Sequence, residues 1–340
     1  MLVEDFDYNL PEELIAQDPI EPRDASRLLI LNKCNGTIRH SIFSEIGAEL
    51  NAGDILVIND TRVLPARIYA TTDSNALVEV LLLKQVSLNS WEALTRPGKK
   101  AKIGCNLSFA LPEITAKVVD YGDEGSRIIE FYHDGDFFSI LERLGEMPLP
   151  PYIKKKLINQ ERYQPVYARE RGSAAAPTAG LHFTNALLEQ LQQQAILIEK
   201  ILLHVGLGTF RPVKTEVVEE HFMHSEYYRV SAESAARINQ ARQAGGRVIA
   251  VGTTSVRTLE SVSADDGTLS QAEGWTNKYI YPGYQFKIVD GMITNFHLPK
   301  STLIMLISAL AGRENVLNAY QEAINCRYRF YSFGDAMLII

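Results

Sequence analysis

The chain has 340 residues, which allows two domains and an ample core, and its 46% hydrophobic and 22% charged residues are those of a soluble globular protein. The formal net charge of −7 argues against a protein that coats nucleic acid non-specifically. The longest apolar run, Leu303 to Ala311, is too short to span a bilayer, so no membrane partner is expected.

The start, MLVEDFDYNL, is acidic and has no apolar h-region, so no signal peptide is expected. Asp54 to Ile58 (DILVI) reads as a buried strand ending at Asn59-Asp60-Thr61-Arg62. ARIYATT, ALVEVLLLKQV, SWEALTRP, NLSFAL, EITAKVVDYG and SRIIEFYH follow as short strands with turn residues between them. They predict a small antiparallel barrel. Within it, Arg96, Lys99, Lys100 and Lys102 make a basic stretch without an acid. Pro148, Pro150 and Pro151 mark a linker out of the barrel. A second basic stretch runs from Arg143 to Arg169 and includes Lys154, Lys155 and Lys156. Either stretch reads as a solvated face or as a local site for a polyanion.

The remainder alternates helix and strand. Helices are predicted at Asn185 to Ala195 (N-cap Thr184 or Asn185), Ser231 to Ala244 (N-cap Ser231), Ser255 to Val262 and Ser301 to Ala311. Strands are predicted at Ile198 to Val205 and Arg247 to Val251. Gly252-Thr253-Thr254 lies between a strand and a helix and makes a natural anion-binding point. The expected fold class is therefore α/β. One α/β domain is built from both chain ends (residues 1–64 and 151–340), and a β-barrel domain is inserted at 65–150.

Four strings in the second half are dense in Gly, Thr, His and Arg: GSAAAPTAGLHFT (172–184), HVGLGTFRPV (204–213), VGTTSVRTLES (251–261) and TNFHLPKST (294–302). Loops of this composition bring backbone N–H groups and hydroxyls close to a ligand. Three of them carry a His, and pooled histidines suit proton transfer. His221, His224 and Glu226 in HFMHSE have a spacing a metal could use with His204 as a third nitrogen, but no cysteine or aspartate cluster supports it, so no metal is expected. The pocket-lining reading remains. Gly206-Leu207-Gly208 follows a strand but runs into Pro212, which weakens a dinucleotide-type reading. Ser255 and Ser301 lie in no nucleophile elbow. Arg257, in the first turn of a helix, reads either as a holder of a carboxylate or phosphate or as a surface arginine. Asp60 and Arg62, at a strand end, are placed to face a ligand. Cys34, Cys105 and Cys326 read as reduced thiols in a cytoplasmic protein.

At these strings the chain resembles the S-adenosylmethionine:tRNA ribosyltransferase-isomerase family of queuosine biosynthesis. The resemblance runs from DFDYNLPEELIAQDPIEPRDASRLL through GDILVINDTRVLPAR, RPGKK, GEMPLPPYI, the four strings and HFMHSE to YRFYSFGDAMLII. Ala174 stands where the family pattern carries Val, a change of packing and not of chemistry.

The resemblance implies an enzyme that moves and isomerises the ribosyl part of S-adenosylmethionine onto 7-aminomethyl-7-deazaguanine at the tRNA wobble position. The implied products are epoxyqueuosine-tRNA, adenine and methionine. S-adenosylmethionine would be a co-substrate, with no tightly bound cofactor, and the protein a cytoplasmic monomer. Such chemistry needs a base for the C5′ protons, an acid for departing adenine and a neutral attacking amine. The expected pool is His204, His221 and His224, with His182 and His297 next; Asp60 and Glu226 would hold the sulfonium or amino groups. Thr253, Thr254 and Arg257 would take the methionine carboxylate. Arg62, Thr178, Gly180, Gly206, Gly208, Thr209, Arg211, Asn295 and Lys300 complete the expected substrate contacts, and the lysines and arginine of the two basic stretches the expected tRNA contacts. Two other classes stay open: a methyltransferase using the same cofactor, and an RNA-binding protein whose barrel stacks bases on Tyr69, Trp91, Phe109, Tyr121 and Phe131.

Overall fold

A strand buried over its whole length needs both faces of its sheet covered, and all five residues of Ile55–Asn59 are buried. The computed structural model describes residues 1–206 and 213–340. Ile55–Asn59 lies near the middle of a nine-stranded sheet. The order is Ala272–Thr276, Glu226–Val230, Leu197–Leu203, Ile55–Asn59, Val248–Val251, Gly291–Asn295, Ala336–Ile339, Arg27–Leu31, Ile38–Ile42. The four strands from Leu197–Leu203 to Gly291–Asn295 are parallel, and antiparallel pairs complete both edges. One apolar cluster joins Val57, Ala250 and Met292 to Val256, Leu259 and Ile307 from helices; another joins Leu56, Ile58 and Ile249 to Phe183 and Leu187. This is the covered α/β sheet that the alternation of elements predicts.

The caps read from sequence are in place. Thr184 accepts from Leu187 N–H, Ser231 from Ser234 N–H and Ser301 from Ile304 N–H, and these three open the helices Asn185–Gln193, Ala232–Gln243 and Thr302–Ala311. One start differs. The helix predicted from Ser255 begins at Gly252, whose φ of +84° lets the chain turn from Val248–Val251 straight into Gly252–Val262. Thr253 and Thr254 therefore belong to its first turn. Val251 supplies no side-chain cap there.

The chain forms two compact units. One comprises Met1–Thr61, Pro151–Glu170 and Ala176–Ile340; the other comprises Arg62–Pro150 and Arg171–Ala175. The second contains a closed antiparallel barrel ordered Arg127–His133, Ser90–Arg96, Leu77–Gln85, Arg67–Thr72, Asn106–Ser108, Ile114–Tyr121. A helix not predicted from sequence, Phe137–Leu144, adds Phe137, Ile140 and Leu141 to its core. Trp91 and Phe131 are buried in that core, so they offer no stacking platform to a base; Tyr69 and Tyr121 are exposed. Arg96, Lys99, Lys100 and Lys102 are exposed, and Arg127 secures their turn by donating to the carbonyls of Ala101 (2.9 Å) and Gly98 (3.1 Å).

Asp54 sits at the foot of the central strand. Its carboxylate accepts from Asn51 N–H at 2.8 Å, from Arg247 N–H at 2.9 Å and from the Arg247 guanidinium at 2.6 Å. Burial works to raise its pKa, but the Arg247 bonds and the backbone N–H groups more than offset that and hold it below the usual value. A depressed carboxylate stabilises the fold above its unfolded pKa, and that contribution is lost as pH falls through the folded value. Asp54→Asn should cost about 2–3 kcal/mol, because the carboxylate is buried and Arg247 half-buried. It should also flatten the acid limb of stability against pH. Denaturant titrations between pH 3 and 7 check both.

Candidate active site

Glu226 and Arg257 are the anchors of the first pocket. Glu226 opens the strand Glu226–Val230, and Arg257 lies one turn into the helix Gly252–Val262. Both are buried, at 5% exposure each, and the Arg257 guanidinium bonds the Glu226 carboxylate. Arg257 also donates through Nε to the Lys278 carbonyl at 2.9 Å, while Glu226 accepts from Gly206 N–H at 2.8 Å. The Arg257 Nη2 is buried without a partner among the described residues. His221, His224, Lys278, Tyr279 and Leu303 add to the walls, and the pocket encloses about 560 Å³ including open solvent at its mouth.

His221 is half-buried and packs edge-on against Tyr279 with ring centroids 5.4 Å apart. Burial, with His224 nearby, pushes its pKa below the ordinary value, so its ring stays a competent base at neutral pH. Lys278 is also pushed down, by burial and by Lys287.

A second pocket adjoins the first. Leu303 lines both, Val205 and Gly206 are consecutive, and Thr254 and Arg257 are three residues apart on one helix. Its lining is Ala176, Pro177, Thr178, Ala179, Val205, Gly252, Thr253, Thr254, Thr294, Asn295, His297 and Leu303. His297 is buried and bonded through Nε2 to Thr294 Oγ1 at 2.7 Å; burial lowers its pKa to about 3, so it is neutral here. The fold thus draws expected residues from the 172–184, 251–261 and 294–302 strings to one place.

His204 and Asp60 form a separate group, outside both linings. His204 Nδ1 lies 2.8 Å from Thr61 Oγ1, and its ring stacks on Tyr227. Burial lowers its pKa to about 4, with Glu170 raising and Arg229 lowering it further. Asp60 is shifted upward by burial, which its 3.8 Å contact with Lys200 only partly counters. The two share Glu170 and Arg229 as charged neighbours.

Other expected residues lie elsewhere. His182 is enclosed: its Nδ1 is 2.8 Å from Ser26 Oγ and its Nε2 3.1 Å from Asn295 Nδ2, and burial lowers its pKa to about 3. Both ring nitrogens are engaged within the protein, one of them with Asn295. Gly180 packs against Tyr167 Oη where a Cβ would collide. Lys300 pairs with Glu4 at 2.8 Å and Asp7 at 2.9 Å. Arg62 lies on the short strand Thr61–Val63 and is the first residue of the barrel-bearing unit. Lys154, Lys155 and Lys156 are exposed; the first two pair with Glu12 and Asp18. Gly208, Thr209 and Arg211 lie outside the described residues. Lys278 and Tyr279 were missed from sequence; their only signal was the aromatic, Gly-containing run from Trp275 to Phe286.

Comparisons with known proteins identify the family. A family model described as queuosine biosynthesis protein matches residues 3–339. This chain belongs to that family. It is 57% identical over 337 residues to the S-adenosylmethionine:tRNA ribosyltransferase-isomerase of Thermoanaerobacter sp. (strain X514), covering 99% of both chains. It is also 57% identical over 341 residues to the enzyme of that name from Desulforamulus reducens (strain MI-1), covering 100% of each. The crystal structure of S-adenosylmethionine tRNA ribosyltransferase from Thermotoga maritima is 38% identical, covers 99% of this chain and 100% of its own, and gives a TM-score of 0.56.

If Glu226 neutralises Arg257, removing it leaves a buried guanidinium uncompensated. Glu226→Gln should lower stability by about 2–4 kcal/mol, whereas Glu226→Gln combined with Arg257→Met should recover much of that loss. A double-mutant cycle of thermal unfolding is the check.

Proposed function

We infer that this protein is an S-adenosylmethionine:tRNA ribosyltransferase-isomerase. It transfers and isomerises the ribosyl moiety of S-adenosylmethionine onto the aminomethyl group of 7-aminomethyl-7-deazaguanine at the tRNA wobble position, releasing adenine and methionine. The observation that carries the reading is the end-to-end likeness to relatives of that name at 57% identity. The adjoining pockets support it, because the strings that carry the likeness line them.

The unit formed by both chain ends acts as the catalytic domain. The sulfonium makes the C5′ protons acidic, and a base close to it takes one. His221 is our leading base, since it faces the pocket that holds Glu226 and Arg257 and its depressed pKa keeps it unprotonated. His224 lines the same pocket, is exposed, and is our second candidate for proton transfer there. His204, with Asp60, supports this machinery from the neighbouring group. Arg257 takes the methionine carboxylate through its unpartnered Nη2, and Glu226 faces the amino group. A methyltransferase would leave S-adenosylhomocysteine, so product chromatography separates the two chemistries.

The basic stretches serve tRNA. The ion pairs of Lys154 and Lys155 are exposed and worth little, so phosphates displace the acids at small cost. The free thiols of Cys34 and Cys326, both exposed, fit a cytoplasmic enzyme, which we take to act as a monomer with S-adenosylmethionine as its co-substrate and no tightly bound cofactor. No helix among the described residues is long and apolar enough to cross a membrane.

His221→Ala should lower kcat about 10²–10⁴-fold while cofactor affinity holds. The acid limb of kcat/KM should bend below the ordinary histidine value, because a base whose pKa is lowered stays unprotonated further into acid. Adenine release between pH 4 and 8 tests both; a wild-type rate in the variant moves the base to His204 or Asp60. S-adenosylhomocysteine, with a neutral sulfur, should inhibit without yielding adenine, and exhaustive chelation should leave turnover intact.

Neutralising Lys154, Lys155 and Lys156 together should flatten the line of log K against log salt for tRNA. Each lost phosphate contact changes the slope by about 0.7 to 0.9. Filter binding over a range of salt measures it, and an unchanged slope places the tRNA elsewhere.

A further inference from the structure

The two adjoining pockets differ in charge. The first presents Arg257, Lys278 and Glu226, an array that matches a zwitterion. Among the described residues of its lining, the second presents no ionised side chain, and its one titratable residue is His297, which burial keeps neutral. Its walls are largely alanine, proline, valine and leucine, with two buried polar atoms that have no partner among the described residues, Asn295 Oδ1 and Thr254 Oγ1. Asn295 is 2% exposed and Thr254 7%.

The orientation of the Asn295 amide follows from its bonds. Nδ2 donates to the Tyr331 carbonyl at 3.2 Å, which can only accept, and also to His182 Nε2 at 3.1 Å. His182 Nε2 therefore accepts, and its proton sits on Nδ1, bonded to Ser26 Oγ at 2.8 Å. With Nδ2 occupied twice, Oδ1 is left as a buried acceptor that requires a donor. Thr254 Oγ1, on the wall of the same pocket, can supply a proton. A native fold seldom leaves such atoms unsatisfied, and here both belong to residues lining a pocket that a ligand can fill.

A flat, uncharged ligand with an amino donor next to a ring-nitrogen acceptor meets this demand. Adenine has N6–H₂ beside N1 on one edge and beside N7 on the other. We propose that the adenine of the co-substrate occupies the second pocket, with Asn295 Oδ1 reading its N6 amino group and Thr254 Oγ1 donating to an adjacent ring nitrogen, while the amino-acid end lies in the first pocket. This deepens the proposed function and rests on it. The ribose and sulfonium then cross the seam at Val205, Gly206 and Leu303, which places C5′ toward His221 and Glu226. The opposite orientation would put a zwitterion against an uncharged wall and leave Arg257 Nη2 without an acceptor, which desolvation disfavours.

The test is calorimetric binding of three compounds: S-adenosylhomocysteine, S-inosylhomocysteine (in which an O6 acceptor replaces the N6 donor) and 5′-methylthioadenosine, which lacks the amino-acid end. Wild type should favour the adenosyl over the inosyl compound by about 10–100-fold, the effect of leaving one buried acceptor unpaired. Asn295→Ala should bring that ratio close to one. Because Asn295 also ties Tyr331 and His182, Thr254→Val provides a milder variant. It keeps the shape and should weaken 5′-methylthioadenosine by about 3–10-fold. Loss of the wild-type preference, or its survival in folded Asn295→Ala, overturns the assignment, as does 5′-methylthioadenosine binding that is indifferent to Thr254→Val. If wild type still releases adenine from S-adenosylmethionine while those results are negative, only the placement of adenine fails. If it releases none and binds none of the three compounds, the enzymatic reading fails with it.

Discussion

The buried pair of Glu226 and Arg257 is the constraint on which the site depends. A guanidinium at 5% exposure is costly to bury without a counter-ion and hydrogen bonds for its other nitrogens. Glu226 supplies the charge and the Lys278 carbonyl one of the bonds. The pair thereby ties the helix Gly252–Val262 to the strand Glu226–Val230 and to the chain at Lys278. Gly206 N–H on the same carboxylate brings in the end of a third segment. One guanidinium nitrogen has no partner among the described residues.

A second carboxylate serves the same helix differently. Glu260 is buried and accepts from the backbone N–H groups of Lys287, Ile288 and Val289 at 3.0, 3.2 and 3.1 Å, and from Tyr284 Oη at 2.9 Å. It fastens the chain before the strand Gly291–Asn295, whose last residue is Asn295. The framework therefore sets the asparagine in place from both sides: by the strand, and by His182 on its amide. Rigid support of this kind is what a site needs if its polar atoms are to meet a ligand without reorganising.

The histidines show how burial sorts residues of one type into different tasks. His182 and His297 are fully enclosed, hydrogen-bonded and neutral, and they hold other groups. His204 is partly enclosed and bonded to Thr61. His221 and His224 keep a face on the first pocket, where proton transfer to a bound molecule is possible. Nothing in their sequence neighbourhoods separates them, since each lies in a Gly- or polar-rich string.

Much of the fold was legible because its signals are local. Alternating apolar residues mark the barrel strands, Ser and Thr mark the helix starts, and the run Asp54 to Ile58 marks the central strand. Phe137–Leu144 was not seen: at eight residues it scarcely exceeds two turns, and its aromatic face reads equally well as strand. Of the site, the sequence by itself determined which strings carry hydroxyls, glycines and titratable groups, and through their order the family. Only the tertiary structure decided which of them meet. Arg257 finds Glu226 thirty-one residues away and Asn295 finds His182 across 113, because the sheet and its connections bring a helix to the start of an antiparallel strand, and a strand end to a 3-10 turn, whatever their separation in the chain. A buried charge or amide is then answered by whichever partner the packing brings within reach, and no local pattern records that choice.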